Sequence, residues 1–281
     1  MAGMTRYKEH QMFPPFDFGK WRAVDDRVRG GSSCSHLDPV KVDVEGHVVK
    51  ASRKDEKGKE MIRKSSNKLA ARFWGHLDIK TLGGAGFASQ VFCYSPYPVH
   101  FPRTKYAGIV ISAMPDPLNF CKDTNQPSEF TFVIKTSPTS PILHHLKTSG
   151  SPRAAQLVYE SRFILNKGDK TGMIPSEEIF YLPWNDFKAT YRGREINPDD
   201  PRWAPLDTSS IYEISLMCRS NFGKQEGDFG LIITGISAWE KDSSNQETES
   251  GCLSVMAAWV RNVMEWDSGI RLEEGFDEKK A

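Results

Sequence analysis

From Trp21 onward apolar and polar residues alternate in short bursts, each cut off by glycine, proline or a charged run. Val40-Lys41-Val42-Asp43-Val44 alternates, breaks at Gly46 and resumes at Val48-Val49-Lys50, which predicts a hairpin with one buried face. Arg72 to Ile79, Phe87 to Phe92 and Gln156 to Ile164 predict further strands. Tyr106 to Ala113 is apolar for a strand's length, which suits a central strand, and Glu129 to Lys135 is strongly β-biased. Ile179 to Trp184 is short and carries Pro183, as an edge strand does. With Ile211 to Cys218 and Asp228 to Ala238 the pattern predicts about nine or ten strands. Strands follow strands without intervening helices, and no internal repeat is present. That order predicts an all-β sandwich and disfavours a parallel α/β sheet.

The connections are distinct in character. Lys54 to Lys68 is a charged surface loop, Tyr94 to Lys105 a proline-rich connection, and Thr136 to Ala155 a long polar excursion. Tyr191-Arg192-Gly193-Arg194 opens a loop running through Pro198, Pro201 and Pro205. Beyond Trp239, a polar linker from Glu240 to Gly251 leads into Leu253 to Trp266, whose apolar residues recur at helical spacing. The predicted helix carries Trp259 and Trp266, and its apolar face either packs on the sandwich or docks on a partner or a membrane surface. The expected organisation is an extension over 1–15, a sandwich over 16–239, and a linker, short helix and charged tail over 240–281.

Two glycine-rich stretches punctuate this pattern. Trp21 to Leu37 holds Asp25, Asp26, Arg27 and Arg29 before Gly30-Gly31 and the small residues from Ser32 to Ser35. Asp78 to Gln90 holds Gly83-Gly84-x-Gly86, followed directly by the strand-like Phe87. Glycine takes φ > 0 or admits a close backbone neighbour at little cost. Both stretches therefore read as tight corners leading into strands.

Composition narrows the function. Lys and Arg number 37 and Asp and Glu 36, a formal net charge of +1. That balance lacks the basic footprint of a nucleic-acid binder. No run approaches the roughly 18 apolar residues that a membrane helix needs. The five cysteines are odd in number and form no CxxC pair, which points to a reducing compartment without a disulfide framework or zinc knuckle. The opening residues place Glu9 near Arg6 and Lys8, unlike an acid-poor mitochondrial presequence, which leaves the cytoplasm as an alternative compartment.

Candidate chemistry is sparse. Asp25 and Asp26 are adjacent, and neighbours in a strand point to opposite faces, so they do not converge on one bond. The expectation is that one pairs with Arg27 or Arg29 while the other accepts backbone N–H groups at the Gly-Gly corner. Tyr191, Arg192 and Arg194 offer planar guanidiniums beside a ring, suited either to pairing with Asp25, Asp26 or Asp207 or to holding a partner or ligand. Trp184, Trp203 and Trp239 supply either core or a stacking platform for a sugar. His144-His145 has no grouped carboxylate or cysteine, so no metal is expected. The glycine stretches lack the phosphate-loop lysine, and no serine sits in a nucleophile elbow. No active site and no cofactor are expected.

Several segments taken together resemble the complex I intermediate-associated protein 30 family. They are Trp21…Asp25-Asp26-Arg27-Val28-Arg29-Gly30-Gly31-Ser32-Ser33, Phe73…Gly83-Gly84-x-Gly86-Phe87-Ala88-Ser89 and Tyr106-x-Gly108-Ile109. With them go Leu182-Pro183-Trp184-x-Asp186-Phe187, Arg192-Gly193-Arg194, Pro205-Leu206-Asp207, Gly227-Asp228-Phe229-x-Leu231 and Ile236-x-Ala238. The resemblance runs in order from Trp21 to Ala238. It implies a jelly-roll β-sandwich of the galactose-binding-domain-like type and a chaperone-like, non-catalytic role in assembling respiratory complex I, the NADH dehydrogenase of mitochondria. On that reading unfinished subunits or other assembly factors are the partners. Tyr191, Arg192, Arg194, Trp259 and Trp266 are the expected contacts, with peripheral membrane contact open to the C-terminal helix. Trp21, Asp25, Asp26, Arg27, Gly30, Gly31, Ser33, Gly83, Gly84, Gly86 and Phe87 form the structural motif. The alternative is a cytosolic carbohydrate- or ligand-binding sandwich.

Overall fold

The computed structural model describes residues 8–43, 48, 68–118, 126–138, 156–166 and 176–241. The described strands are β1 (Glu9–Phe13), β2 (Trp21–Ala23), β3 (Cys34–Val42), β4 (Lys68–Leu77), β5 (Phe87–Cys93), β6 (Tyr106–Pro115) and β7 (Glu129–Lys135). They continue as β8 (Leu157–Ile164), β9 (Glu178–Pro183), β10 (Lys188–Tyr191), β11 (Arg194–Glu195), β12 (Glu213–Arg219) and β13 (Gly227–Glu240). The first sheet runs β3-β4-β13-β6-β9, and β1 also pairs with β13. The second runs β11-β10-β8-β7-β12-β5-β2. The described pairings are antiparallel, and the two sheets form a jelly-roll β-sandwich.

Alternation places the core. On β7, Phe130, Phe132 and Ile134 turn inward and are almost wholly buried. Phe73 of the first sheet meets Phe229 at 5.1 Å and Phe130 of the second at 6.3 Å between ring centroids. Full burial of one such side chain stabilises the fold by about 1.5–3 kcal/mol. The short apolar run Leu231-Ile232-Ile233 in β13 has its own cause. Ile232 points away from the main core and packs with Val42, Ala70 and Met114, so the strand is buried on both faces.

β13 is flanked on one side by β4, which pairs as far as Ala71↔Ile233. Beyond that point β1 takes up the vacated edge, from Phe13↔Ile236 to Glu9↔Trp239. The sheet thus begins inside the stretch expected to precede the sandwich. The hairpin expected over Val40 to Lys50 is reduced to β3 and a bridge between Val42 and Val48, its remaining residues lying outside the described ones. Where a loop was expected at Tyr191 to Arg194, β10 and β11 form a hairpin. Its two-residue turn, Arg192-Gly193, takes φ values of 54° and 75°, the left-handed pair that suits the twist of the flanking strands. Lys54 to Asn67, His144-His145 and the helix with Trp259 and Trp266 lie outside the described residues. Among the described residues, no helix is long and apolar enough to cross a membrane.

Candidate functional site

The acid pair sits where the two sheets approach each other. Asp26 accepts the Ser33 N–H at 3.0 Å, the Ser33 hydroxyl at 2.6 Å and the Phe87 N–H at 3.2 Å. Asp25 accepts the Ser35 hydroxyl at 2.6 Å, the Ser89 N–H at 2.9 Å and the Ser35 N–H at 3.2 Å. Asp25 is extended and Asp26 opens a turn of 3-10 helix, which brings both carboxylates into one buried polar knot instead of onto opposite faces. Neither acid pairs with Arg27 or Arg29, contrary to expectation. Arg27 donates to the Ser33 carbonyl, and the Arg29 guanidinium lies 5.6 Å from the centre of the Phe87 ring.

The glycines make room for this knot. A Cβ on Gly31 would lie 2.3 Å from the Asp26 carboxylate, and one on Gly86 would lie 2.2 Å from the Asp78 carbonyl oxygen. The two corners also touch, since the Asp78 N–H donates to the Ser33 hydroxyl at 3.0 Å. Hydrogen bonds from the Thr81 side chain, then from the Thr81 and Lys80 N–H groups, hold the Asp78 carboxyl below its ordinary range. Trp21 is buried against Phe13 and Phe92. With the carboxylates of Asp25 and Asp26 committed to three donors each, this corner is a staple with no acid or base directed at solvent.

Nor do the aromatic candidates form a platform. Trp184 is buried and gives its indole N–H to the Tyr106 carbonyl, Trp239 is buried, and Trp203 is partly buried against the core. Tyr191 is half-buried beneath the Arg202 guanidinium, 4.5 Å from its ring centre. Arg202 grips Asp200 with two nitrogens, and those hydrogen bonds pull the Asp200 carboxyl down to about 2. Arg192 is exposed, its guanidinium 5.6 Å from the Tyr191 ring centre, and neither it nor Arg194 pairs with Asp25, Asp26 or Asp207 among the described residues.

An open cleft of about 700 Å³ lies at the β8-β10-β11 end of the second sheet. Its floor is Glu160, buried and bonded to the Arg219 guanidinium and to the Thr190 hydroxyl at 3.0 Å. Arg219 also donates to the Gly193 carbonyl at 3.0 Å, tying the β10-β11 turn to that floor. Arg162, Lys188 and Arg194 bring cations to its walls, and Asp186 and Glu195 bring anions. Tyr181 and Phe222 stand at the rim, 38% and 79% exposed. Phe222 lies within Asn221-Phe222-Gly223, three successive left-handed residues, a conformation that a bulky side chain adopts only under constraint. Ser220 supplies part of that constraint by donating its hydroxyl to the Gly84 carbonyl at 2.9 Å, and Gln225 donates to the Glu129 and Arg219 carbonyls. Of the expected contacts among the described residues, Tyr191, Arg192 and Arg194, only Arg194 lines the cleft. The sequence signal for Glu160 and Arg162 was their polar place in the alternation from Gln156 to Ile164; Phe222 carried none. No group of three potential metal ligands occurs among the described residues.

Comparison with known proteins gives three findings. The family model described as Complex I intermediate-associated protein 30 matches residues 10–233. An uncharacterized protein of Schizosaccharomyces pombe is 35% identical over 225 residues, covering 79% of this chain and 78% of its own. Among solved structures, a family 11 carbohydrate-binding module from Clostridium thermocellum, in complex with a mixed-linked tetrasaccharide, aligns with a TM-score of 0.45. Its identity is 11%, over 82% of this chain and 95% of the module. The family 11 module of the Clostridium thermocellum cellulase Lic26A-Cel5E aligns with a TM-score of 0.44 and 12% identity, over 84% and 97%.

Two outcomes test the geometry. Gly31→Val drives side-chain carbon into the Asp26 carboxylate and Asp26→Ala strands buried donors at a cost of about 1–3 kcal/mol each. Both are expected to lower urea stability more than Gly84→Val, where φ is +95° but no atom lies within 4 Å of a new Cβ. Equal stability of all three variants and wild type would remove the staple. The Asp200 carboxyl, depressed by Arg202, contributes stability above its unfolded pKa and loses it as pH falls towards about 2. A carboxyl-carbon NMR titration should place its midpoint near that value, and Arg202→Gln should return it towards 3.8.

Proposed function

This chain belongs to the complex I intermediate-associated protein 30 family, and from that membership we propose that it is a non-catalytic assembly factor that binds unfinished subunits of respiratory complex I in mitochondria. The observation that carries the reading is the extent of the family match, residues 10–233, which takes in nearly all of the sandwich. The chemistry of the chain supports it. The paired carboxylates most suggestive of acid–base work are saturated by hydrogen bonds, and such work needs groups within reach of a substrate. The exposed Arg192 and Arg194 of the β10-β11 hairpin are available for charge-assisted contacts with a partner's carboxylates.

A second reading, a carbohydrate-binding sandwich, has one observation in its favour: the cleft is lined by donors and acceptors of both signs and has Tyr181 and Phe222 at its rim. A glycan array separates the two. Affinity purification of the tagged chain from isolated mitochondria is expected to recover incompletely assembled complex I subunits, and Arg194→Glu is expected to reduce that recovery. Recovery of no respiratory subunit, with a glycan bound instead, would replace the first reading by the second.

A further inference from the structure

The two faces of β8 are conventional for a sandwich, but its two edges are unequal. Along one edge β7 pairs with it to the end, through Phe130↔Phe163 and Glu129↔Ile164. Along the other, β10 pairs from Tyr191↔Leu157 only as far as Lys188↔Glu160. The chain then turns away through Phe187 and the short helix Trp184–Asp186 towards β9. Among the described residues no strand takes up the outer edge of Ser161 to Ile164, which spans roughly 13 Å at the usual rise per residue. The treatment of β13 is the contrast, since there β1 fills the length that β4 leaves. Main-chain N–H and C=O groups on an open edge are a template for another extended chain.

The cleft lies at this open edge. Ser161 and Arg162 form one wall of it, and Tyr181, Leu182 and Asp186 form another. The space that a further strand would need is therefore present, and no side-chain platform for a sugar ring was found among Trp184, Trp203 and Trp239. We propose that the free edge of β8, Ser161 to Ile164, is the binding site for an extended segment of a partner polypeptide, which pairs with it as an added strand in line with β10. The proposal rests on the reading of this chain as a protein-binding assembly factor, and says how it holds an unfinished subunit. Such a segment is in reach of hydrogen bonding before its own fold closes, whereas a finished subunit has already paired it. Arg162 and Ile164 share the outer face at a spacing of two residues, the first a half-exposed cation that also pairs with Glu129 at 3.3 Å and the second apolar with 65% of its surface exposed. The matching segment carries an acidic side chain two residues from an apolar one, because main-chain pairing supplies affinity and alternate side chains supply specificity.

The test uses the full chain with reduced, carboxymethylated α-lactalbumin, an acidic and permanently unfolded probe, alongside native α-lactalbumin and a β-glucan tetrasaccharide. Hydrogen–deuterium exchange is expected to show protection at Ser161 to Ile164 on adding the unfolded probe, and none on adding the native protein. Arg162→Gln, which removes the charge without setting a second carboxylate against Glu129, is expected to weaken probe binding about fivefold, the scale of one partly exposed ion pair, with thermal melting lowered only slightly. Probe binding with protection confined to other segments would overturn the edge site and leave the protein-binding reading standing. Failure of the unfolded probe to bind would overturn both. Protection of the cleft by the tetrasaccharide alone would assign it to glycan.

Discussion

Everything in this sandwich depends on one pair of side chains holding two sheets together at a corner. Asp26 takes donors from Ser33, just before β3 in the first sheet, and from Phe87 at the start of β5 in the second. Asp25 repeats the connection two residues further along each strand, with Ser35 and Ser89. Successive acids thus fix successive same-face positions of both strands, and with them the register between layers. Apolar packing cannot do this alone, because hydrophobic attraction is non-directional. A buried carboxylate left without donors would cost far more than it contributes, so the backbone must come close enough to supply them. That need is why Gly31 and Gly86 have no room for a Cβ.

The same corner reaches the far end of the second sheet through β12. Ser220 bonds to Gly84 and Gly86 on one side, while its neighbour Arg219 bonds to Glu160 and Gly193 on the other. The staple at the β5-β2 edge and the cleft at the β8-β10-β11 edge are therefore consecutive residues apart along the chain. Phe222, held in a left-handed backbone just beyond them, is oriented by these anchors and not by packing of its own ring, which is mostly exposed.

Much of the β architecture was legible because burial imposes a period. Phe130, Phe132 and Ile134 declare the inward face of β7, and the apolar run from Tyr106 to Ala113 declares β6 as a strand inside its sheet, between β13 and β9. The corners were legible for a different reason: Gly30-Gly31 and Gly83-Gly84-x-Gly86 exclude side chains in places where ordinary strands do not. What escaped was set by distant partners. β1, Glu-His-Gln-Met-Phe, has no alternation and exists because β4 leaves part of β13 uncovered. Arg192-Gly193 lacks the Asn-Gly signature of its turn, and the Gly193 carbonyl finds its donor in Arg219, far along the chain. The opposed carboxylates inferred from strand geometry failed because Asp26 begins a helical turn. The cleft was invisible for the same reason, since its residues come from five strands and the turns between them.

The buried ion pair beneath the cleft is poor material for stability, and that clarifies what it does. Desolvating Glu160 and Arg219 costs roughly what their attraction returns, and apolar residues of similar volume would commonly serve as well or better. Apolar residues would not donate to the Gly193 carbonyl or accept from the Thr190 hydroxyl, as this pair does. The pair therefore fixes position: it sets β10 against β8 at Lys188↔Glu160 and anchors the hairpin turn beyond. A short β10 held firmly there leaves the rest of β8 without a strand on that side among the described residues. The buried Ala189 holds the same register from the core side, since a slip of one residue would turn it to the opposite face. Charge at this edge thus serves placement of β10 and its turn more than stability.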